Sequence, residues 1–203
     1  MQKAVEAPMK EKIVQASIKL FLRKSFKGTS VEDITKGVKV SKAAFYWHFK
    51  SKAELLDTIV EEYERIFVDP LLRDVGESQG DFTKKYKYFH KWATEFAAQN
   101  RDLCVGFVTL AAEFSGSGTA VERKIKAVYA KLRGFLRGLS EQGKREGVMR
   151  KDLDDDIVAH ALNAINNGML LEWYMNSKID GGLLAKSYRE ITLRGILNKG
   201  SKQ

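Results

Sequence analysis

Apolar residues recur every three or four positions along almost the whole chain, and nowhere do they alternate strictly with polar ones. That periodicity belongs to packed helices and excludes a sheet. Ile13, Ala16, Ser17, Leu20 and Phe21 form one such face, with Lys12, Lys19 and Arg23 outside it. Gly28 ends that helix. Thr29 with Glu32 fits a capping box for a short second helix, 30–38, whose inner residues are Val31, Ile34 and Val38. Ser41 can cap a third, 42–48, with Phe45 and Phe49 inward. Ser51 with Glu54 opens a longer one carrying Leu55, Leu56, Ile59, Tyr63, Ile66 and Phe67 and ending before Pro70. A loop is expected over 71–80. Further helices follow from Asp81 to Asn100, Leu103 to Phe114, Thr119 to the Glu146–Val148 turn, Asp154 to Met175, and Asp180 to Asn198. The expected fold is all-α with about nine helices.

Several classes are excluded early. The longest stretch without a charged residue, Ile157–Leu171, has 15 residues and contains His160 and three Asn, too short and too polar to span a bilayer. The N-terminal segment has no apolar core of the kind a secretory signal needs. Cys104 stands alone, so no intramolecular disulfide can form, and a cytoplasmic location is expected. A lone Cys beside Leu103, Val105 and Phe107 reads as an inert buried thiol. Neither His90 nor His160 sits at a metal-ligand spacing, and no nucleophile–base or phosphate-loop pattern occurs, so no metal, no cofactor and no enzymatic activity are expected.

Charge is distributed unevenly. Of the net +9, residues 1–52 hold 12 Lys/Arg against 4 Asp/Glu, a net of +8. A basic segment attracts polyanions by counterion release, whereas an anionic membrane or a merely solvated surface is the competing reading. The helices beneath the charge decide for nucleic acid. Helices 30–38 and 41–48, joined by a tight turn and supported by helix 11–24, form a helix-turn-helix, which lays its second helix in the major groove. On that helix Lys42 and Tyr46 share an outward face, and Ala43 and Ala44 permit close approach. His48 and Lys52 lie where phosphates would run, and the helix start at Ser51–Lys52 offers free amides.

The run Thr29-Ser30-Val31-Glu32-Asp33-Ile34, then Val40-Ser41-Lys42, then Phe45-Tyr46-Trp47-His48-Phe49-Lys50-Ser51-Lys52 with Leu55, resembles the DNA-binding domain of the tetracycline-repressor (TetR) family over residues 10–60. The resemblance implies a homodimeric regulator, usually a repressor released from a pseudo-palindromic operator by a small molecule. By position it implies that Lys42, Ala43 and Ala44 face base edges. Tyr46, His48, Lys52 and the Thr29–Ser30 helix start, with Ser41 alongside, would hold the backbone, and Trp47, in the same DNA-binding set, would be mainly a packing residue. Lys39 stands where the family's turn usually has Gly; a left-handed turn there would cost roughly 1 kcal/mol more than with Gly.

The organisation expected is a flexible basic arm at 1–9, a DNA-binding domain with its connecting helix at 10–68, and a ligand-binding and dimerisation domain at 69–203. Helix 51–67 is expected to be the lever, since it alone joins the basic head to the remainder. Helix 157–175 is apolar almost all round, which one packing face does not explain. The resemblance implies that the last two helices form a dimer bundle, where Gly168 would allow close approach. It also implies an effector pocket among the middle helices, and Trp92, Phe96, Phe107 and Phe114 are candidate lining, though each reads more readily as core. Asn163 and Asn167, amides in an apolar helix, need partners: a dimer contact, a ligand head group or solvent. The expected partners are therefore an operator in double-stranded DNA, a small and hydrophobic effector, and a second copy of the chain, with no membrane. The rival reading is a non-specific architectural DNA binder.

Overall fold

The computed structural model describes residues 8–176 and 178–198. Of the basic arm expected at 1–9, residues 1–7 lie outside the described residues, and Met9 opens the first helix. The elements are α1 (Met9–Lys24), α2 (Val31–Val38), α3 (Lys42–His48), α4 (Lys52–Tyr63), a π-helical turn (Glu64–Val68), α5 (Asp69–Glu77), α6 (Phe82–Gln99), α7 (Arg101–Phe114), α8 (Ala120–Arg145), α9 (Asp155–Met175) and α10 (Gly181–Ile196). No β-strand occurs among the described residues; one isolated bridge joins Met149 to Leu197. Since α4, the π turn and α5 are contiguous, the described residues hold nine helical runs.

That continuity corrects two expectations. The helix does not end before Pro70, and the loop expected over 71–80 is confined to its last three residues, 71–77 being helical. Pro70 lies in the first turn of α5, directly after the widened π turn. A proline there needs no N–H partner one turn back, and the wider turn makes room for its ring. Leu71 and Val75, one turn apart and fully buried, then seat α5.

The chain forms two compact units. The first comprises the residues up to Tyr63 together with Asp102–Ile125; the second comprises Glu64–Arg101 and everything from Lys126. In the first unit, Ile13, Ile18, Ile34, Phe45, Phe49, Leu55 and Ile59 are buried, each contributing about 1.5–3 kcal/mol. Tyr63 stacks on Phe107 with ring centroids 3.9 Å apart. Gly106 lets α7 approach α1 closely, since a Cβ there would lie 3.1 Å from the Ile18 side chain. Lys124, at the start of α8, pairs with Asp57 and Glu61 of α4. The basic head is therefore buttressed by α7 and the start of α8 as well as by α4, so α4 is not its sole attachment.

In the second unit Leu71, Val75, Phe82, Tyr86, Phe89, Leu132, Leu136 and Leu139 are buried. Tyr86 and Thr192 share a buried hydroxyl–hydroxyl bond of 2.7 Å between α6 and α10. The Asp residues expected to open helices do so: Asp81, Asp154 and Asp180 accept from Lys84, Ile157 and Leu183 N–H at 2.9 Å each.

Candidate nucleic-acid interface

The start of α2 is capped one residue later than expected. Ser30, not Thr29, is the N-cap. Its hydroxyl accepts from Asp33 N–H at 3.0 Å, and the Asp33 carboxylate accepts from Ser30 N–H at 2.9 Å. The Ser30 N–H bond first, then a bond of 2.8 Å that the Ser30 hydroxyl donates to the same carboxylate, together with Lys24, hold the Asp33 carboxyl well below the usual carboxylate range. Thr29 is buried, and its hydroxyl donates to Ser25 O at 2.7 Å. Burial of Thr29 takes its hydroxyl away from the helix start and leaves Ser30 to cap it.

The turn after α2 is made by Lys39 in the left-handed region, φ 60 and ψ 46, with Val40 N–H donating to Thr35 O. The strain anticipated for a non-glycine residue is therefore present. Ser41 then caps α3, accepting from Ala44 N–H at 3.1 Å. Its hydroxyl is occupied in building α3. Phe45 and Phe49 are fully buried and fix the roll of α3, which turns Lys42, Ala43, Tyr46 and Trp47 to solvent and leaves Ala44 and His48 half-buried. Trp47 is 85% exposed, which corrects the expectation that it packs. Tyr46 is held edge-on to Phe45 at 5.3 Å. At the tip of α3, Lys42 Nζ lies 3.5 Å from Glu32, which also pairs with Lys36 at 3.1 Å. Both cations, Lys36 first, lower the Glu32 pKa.

Lys52 sits differently from the other basic residues. Its ammonium donates to Phe26 O at 2.7 Å and Thr29 O at 2.6 Å and lies 4.2 Å from the centre of the Phe26 ring. Two of its three donors thus tie α4 to the α1–α2 turn. Ser51 accepts from Glu54 N–H, while the Glu54 carboxylate takes Lys50 N–H at 2.7 Å. Ser30, Ser41, Lys42, Ala43, Tyr46, Trp47 and Lys50 remain exposed in this region.

The six residues expected to line an effector site fall into both units. Phe107 and Phe114 belong to the first, buried against Tyr63 and Phe26. Trp92 and Phe96 belong to the second, half-buried and stacked on each other at 5.5 Å, with Phe67 4.9 Å from Phe96. Trp92 Nε1 donates to Asp74 at 3.1 Å. Asn163 and Asn167 are half-buried on α9, and Asn167 hydrogen-bonds the Tyr129 side chain. Burial pushes Cys104 up to about 12, as an inert thiol requires.

Two residues with notable surroundings had no signal in the sequence. His90 is buried among Tyr86, Phe89 and Tyr188, and its Nε2 lacks a hydrogen-bond partner. Burial first, and Arg189 second, push its pKa down to about 3. Glu113, near the end of α7, accepts from the N–H groups of Phe26 and Lys27 at 2.9 and 3.0 Å.

Residues 13–59 match the model of the bacterial regulatory proteins of the tetR family. The chain is similar to IcaR, the negative transcriptional regulator of the biofilm operon icaADBC. It is 41% identical to the Staphylococcus epidermidis protein over 66 residues, 32% of this chain and about a third (36%) of that protein's length. It is 23% identical to that of Staphylococcus aureus strain Newman over 172 residues, 83% of this chain and 84% of that one. Among solved structures, the MbdR regulator from Azoarcus sp. CIB superposes with a TM-score of 0.84 at 27% identity, covering 91% of this chain and 97% of that one. The transcriptional regulator FadR from Bacillus subtilis, solved in complex with stearoyl-CoA, shares the fold with a TM-score of 0.74 at 20% identity, over 92% and 98% of the two chains.

Proposed function

The chain belongs to the TetR family of bacterial DNA-binding transcriptional regulators, and from that premise we propose that it is a homodimeric repressor released from a pseudo-palindromic operator by a small hydrophobic molecule. The observation that carries the DNA-binding part is α3. Two fully buried phenylalanines fix its roll, and a continuous solvent face of Lys42, Ala43, Tyr46 and Trp47 is left free for base edges. Lys42 can donate to guanine, the two alanines allow the backbone close, and the exposed aromatics can meet thymine methyl groups.

Dimerisation is supported by the outer faces of α9 and α10. Ile157 is 66% and Ile191 71% exposed, with Ile165, Met175 and Leu183 also open to solvent. Between them lie the small residues Ala161, Ala164 and Gly168, and a Cβ at Gly168 would meet nothing within 4 Å. Such an apolar strip on two adjacent helices fits a second copy of itself. A hydrophobic effector is supported by the half-buried Trp92–Phe96 stack with Phe67 and by the stearoyl-CoA held by FadR. Effector binding would shift the population between DNA-competent and DNA-incompetent dimers.

Selection of genomic fragments by the purified protein at near-physiological salt, followed by sequencing, tests this reading. Enrichment of inverted repeats with half-sites about one helical turn apart or somewhat more is expected. Broad recovery without a motif would overturn it in favour of an architectural DNA binder.

A further inference from the structure

The turn between α1 and α2 is tied from two directions. Ser25, at its start, has φ 62 and ψ 168, a conformation reserved almost entirely for glycine. Such a backbone persists only where its surroundings hold it. Here the holders are identifiable. Both oxygens of Glu113, from α7, accept the consecutive N–H groups of Phe26 and Lys27. Lys52, from α4, donates to the carbonyls of Phe26 and Thr29. The Phe26 ring is wedged edge-on between Phe21 and Phe114, at 5.3 and 5.4 Å. Gly28 follows the chain so tightly that a Cβ there would lie 2.1 Å from Lys24 O. Thr29 closes the turn onto Ser25 O, and Ser30 at once caps α2, the helix against which the recognition helix α3 turns.

We propose that Glu113 is a positioning residue for operator binding: its carboxylate holds the strained Ser25–Thr29 turn in the form that sets α2 and α3 for the major groove. The proposal rests on the repressor reading above and deepens it, because it names the point at which α7 controls the DNA-reading head. The carboxylate is suited to the task, since it is acceptor-only and can take two adjacent amide donors at once. An amide at this position would turn a donor toward one of them. Withdrawal of Glu113 lets Ser25 leave its unfavourable conformation, so the turn has two states that α7 can select between.

The test compares wild type, Glu113→Gln, Ser25→Gly and the double variant. Amide hydrogen exchange at Phe26 and Lys27 is read by NMR, and affinity is read on the enriched operator fragment. Glu113→Gln should speed exchange at those two amides about tenfold and weaken operator binding about tenfold, while amides in the core of α1 stay protected. Glycine removes the strain that Glu113 restrains, so in the Ser25→Gly background the same substitution should cost no more than about threefold. Equal losses in both backgrounds, or unchanged exchange at Phe26 and Lys27, would overturn the proposal. If the wild type selects no operator, the repressor reading fails, and amide exchange still decides whether Glu113 holds the turn. If Glu113→Gln does not fold, Ser25→Gly alone decides: a higher melting temperature is expected, and a lower one refutes the strain on which the idea stands.

Discussion

Lys52 shows how much a single basic side chain can mean beyond its charge. By position it belongs among phosphate contacts, yet its ammonium is spent on two backbone carbonyls and an aromatic face. Hydrogen bonds from a charged donor contribute about 1.5–3 kcal/mol, so Lys52→Ala should lower the melting temperature by about 3–12 °C for a chain of this size, at about 2–4 °C per kcal/mol. The salt dependence of DNA affinity separates structure from contact. If Lys52 acts by holding the turn, the slope of log K against log salt is unchanged in Lys52→Ala. A slope reduced by about one would restore the ammonium to a phosphate. Lys42 should behave oppositely: its exposed ammonium is restrained only by Glu32, so Lys42→Ala keeps the melting temperature and alters sequence preference. Side-chain environment was the part illegible at this scale. The residue types around Trp47 pointed to a DNA-facing helix, but only the burial of Phe45 and Phe49 showed that Trp47 faces outward.

At the scale of elements, the capped helices were legible because capping is local chemistry. Ser41, Asp81, Asp154 and Asp180 each bond an amide three residues on, and each was readable from its own neighbourhood. The α5 segment was missed because Pro70 and Gly76 look like punctuation, whereas the outcome depended on a π turn and on a core that takes Leu71 and Val75. Glu113 and His90 were missed for the same reason: their partners are far away in sequence. His90 carries a measurable consequence for the packing of α6 on α10. It is held neutral among Tyr86, Phe89 and Tyr188, with Arg189 adding repulsion, and its pKa falls from 6.5 to about 3. Below pH 6.5 the unfolded chain binds a proton that the folded chain refuses. The stability contributed by neutral His90 is therefore complete above that pH and is lost progressively as pH falls toward 3. At pH 5 the loss is on the order of 2 kcal/mol. His90→Leu should be destabilising at pH 7 and markedly less so at pH 5, measured by urea unfolding of both proteins at each pH. A difference independent of pH would show that His90 titrates normally in the folded chain.

For the whole molecule the deciding question is whether a second copy covers the exposed faces of α9 and α10. An operator with two half-sites binds a dimer far more tightly than its separated halves, because the second contact is made at high effective concentration, a gain of about 10²–10⁴. The exposed strip of Ile157, Ile165, Leu183 and Ile191 is apolar, and its central residues Ala161, Ala164 and Gly168 are small enough for helices to approach closely. In the proposed dimer, a carboxylate placed in that strip would be an uncompensated buried charge in each copy, at a cost of several kcal/mol, while leaving each chain's own core untouched. The double variant Ile165→Glu, Ile191→Glu should therefore sediment as a monomer with unchanged helicity. Its affinity for an inverted-repeat operator should fall by two orders of magnitude or more, to that of a single half-site, while wild type keeps a strong preference for the full repeat. A variant that remains dimeric and binds the repeat as tightly as wild type would remove α9 and α10 from the interface. The second half-site contact, which a helix of seven residues reading one half-site does not replace, would then have to come from a dimer built on another surface.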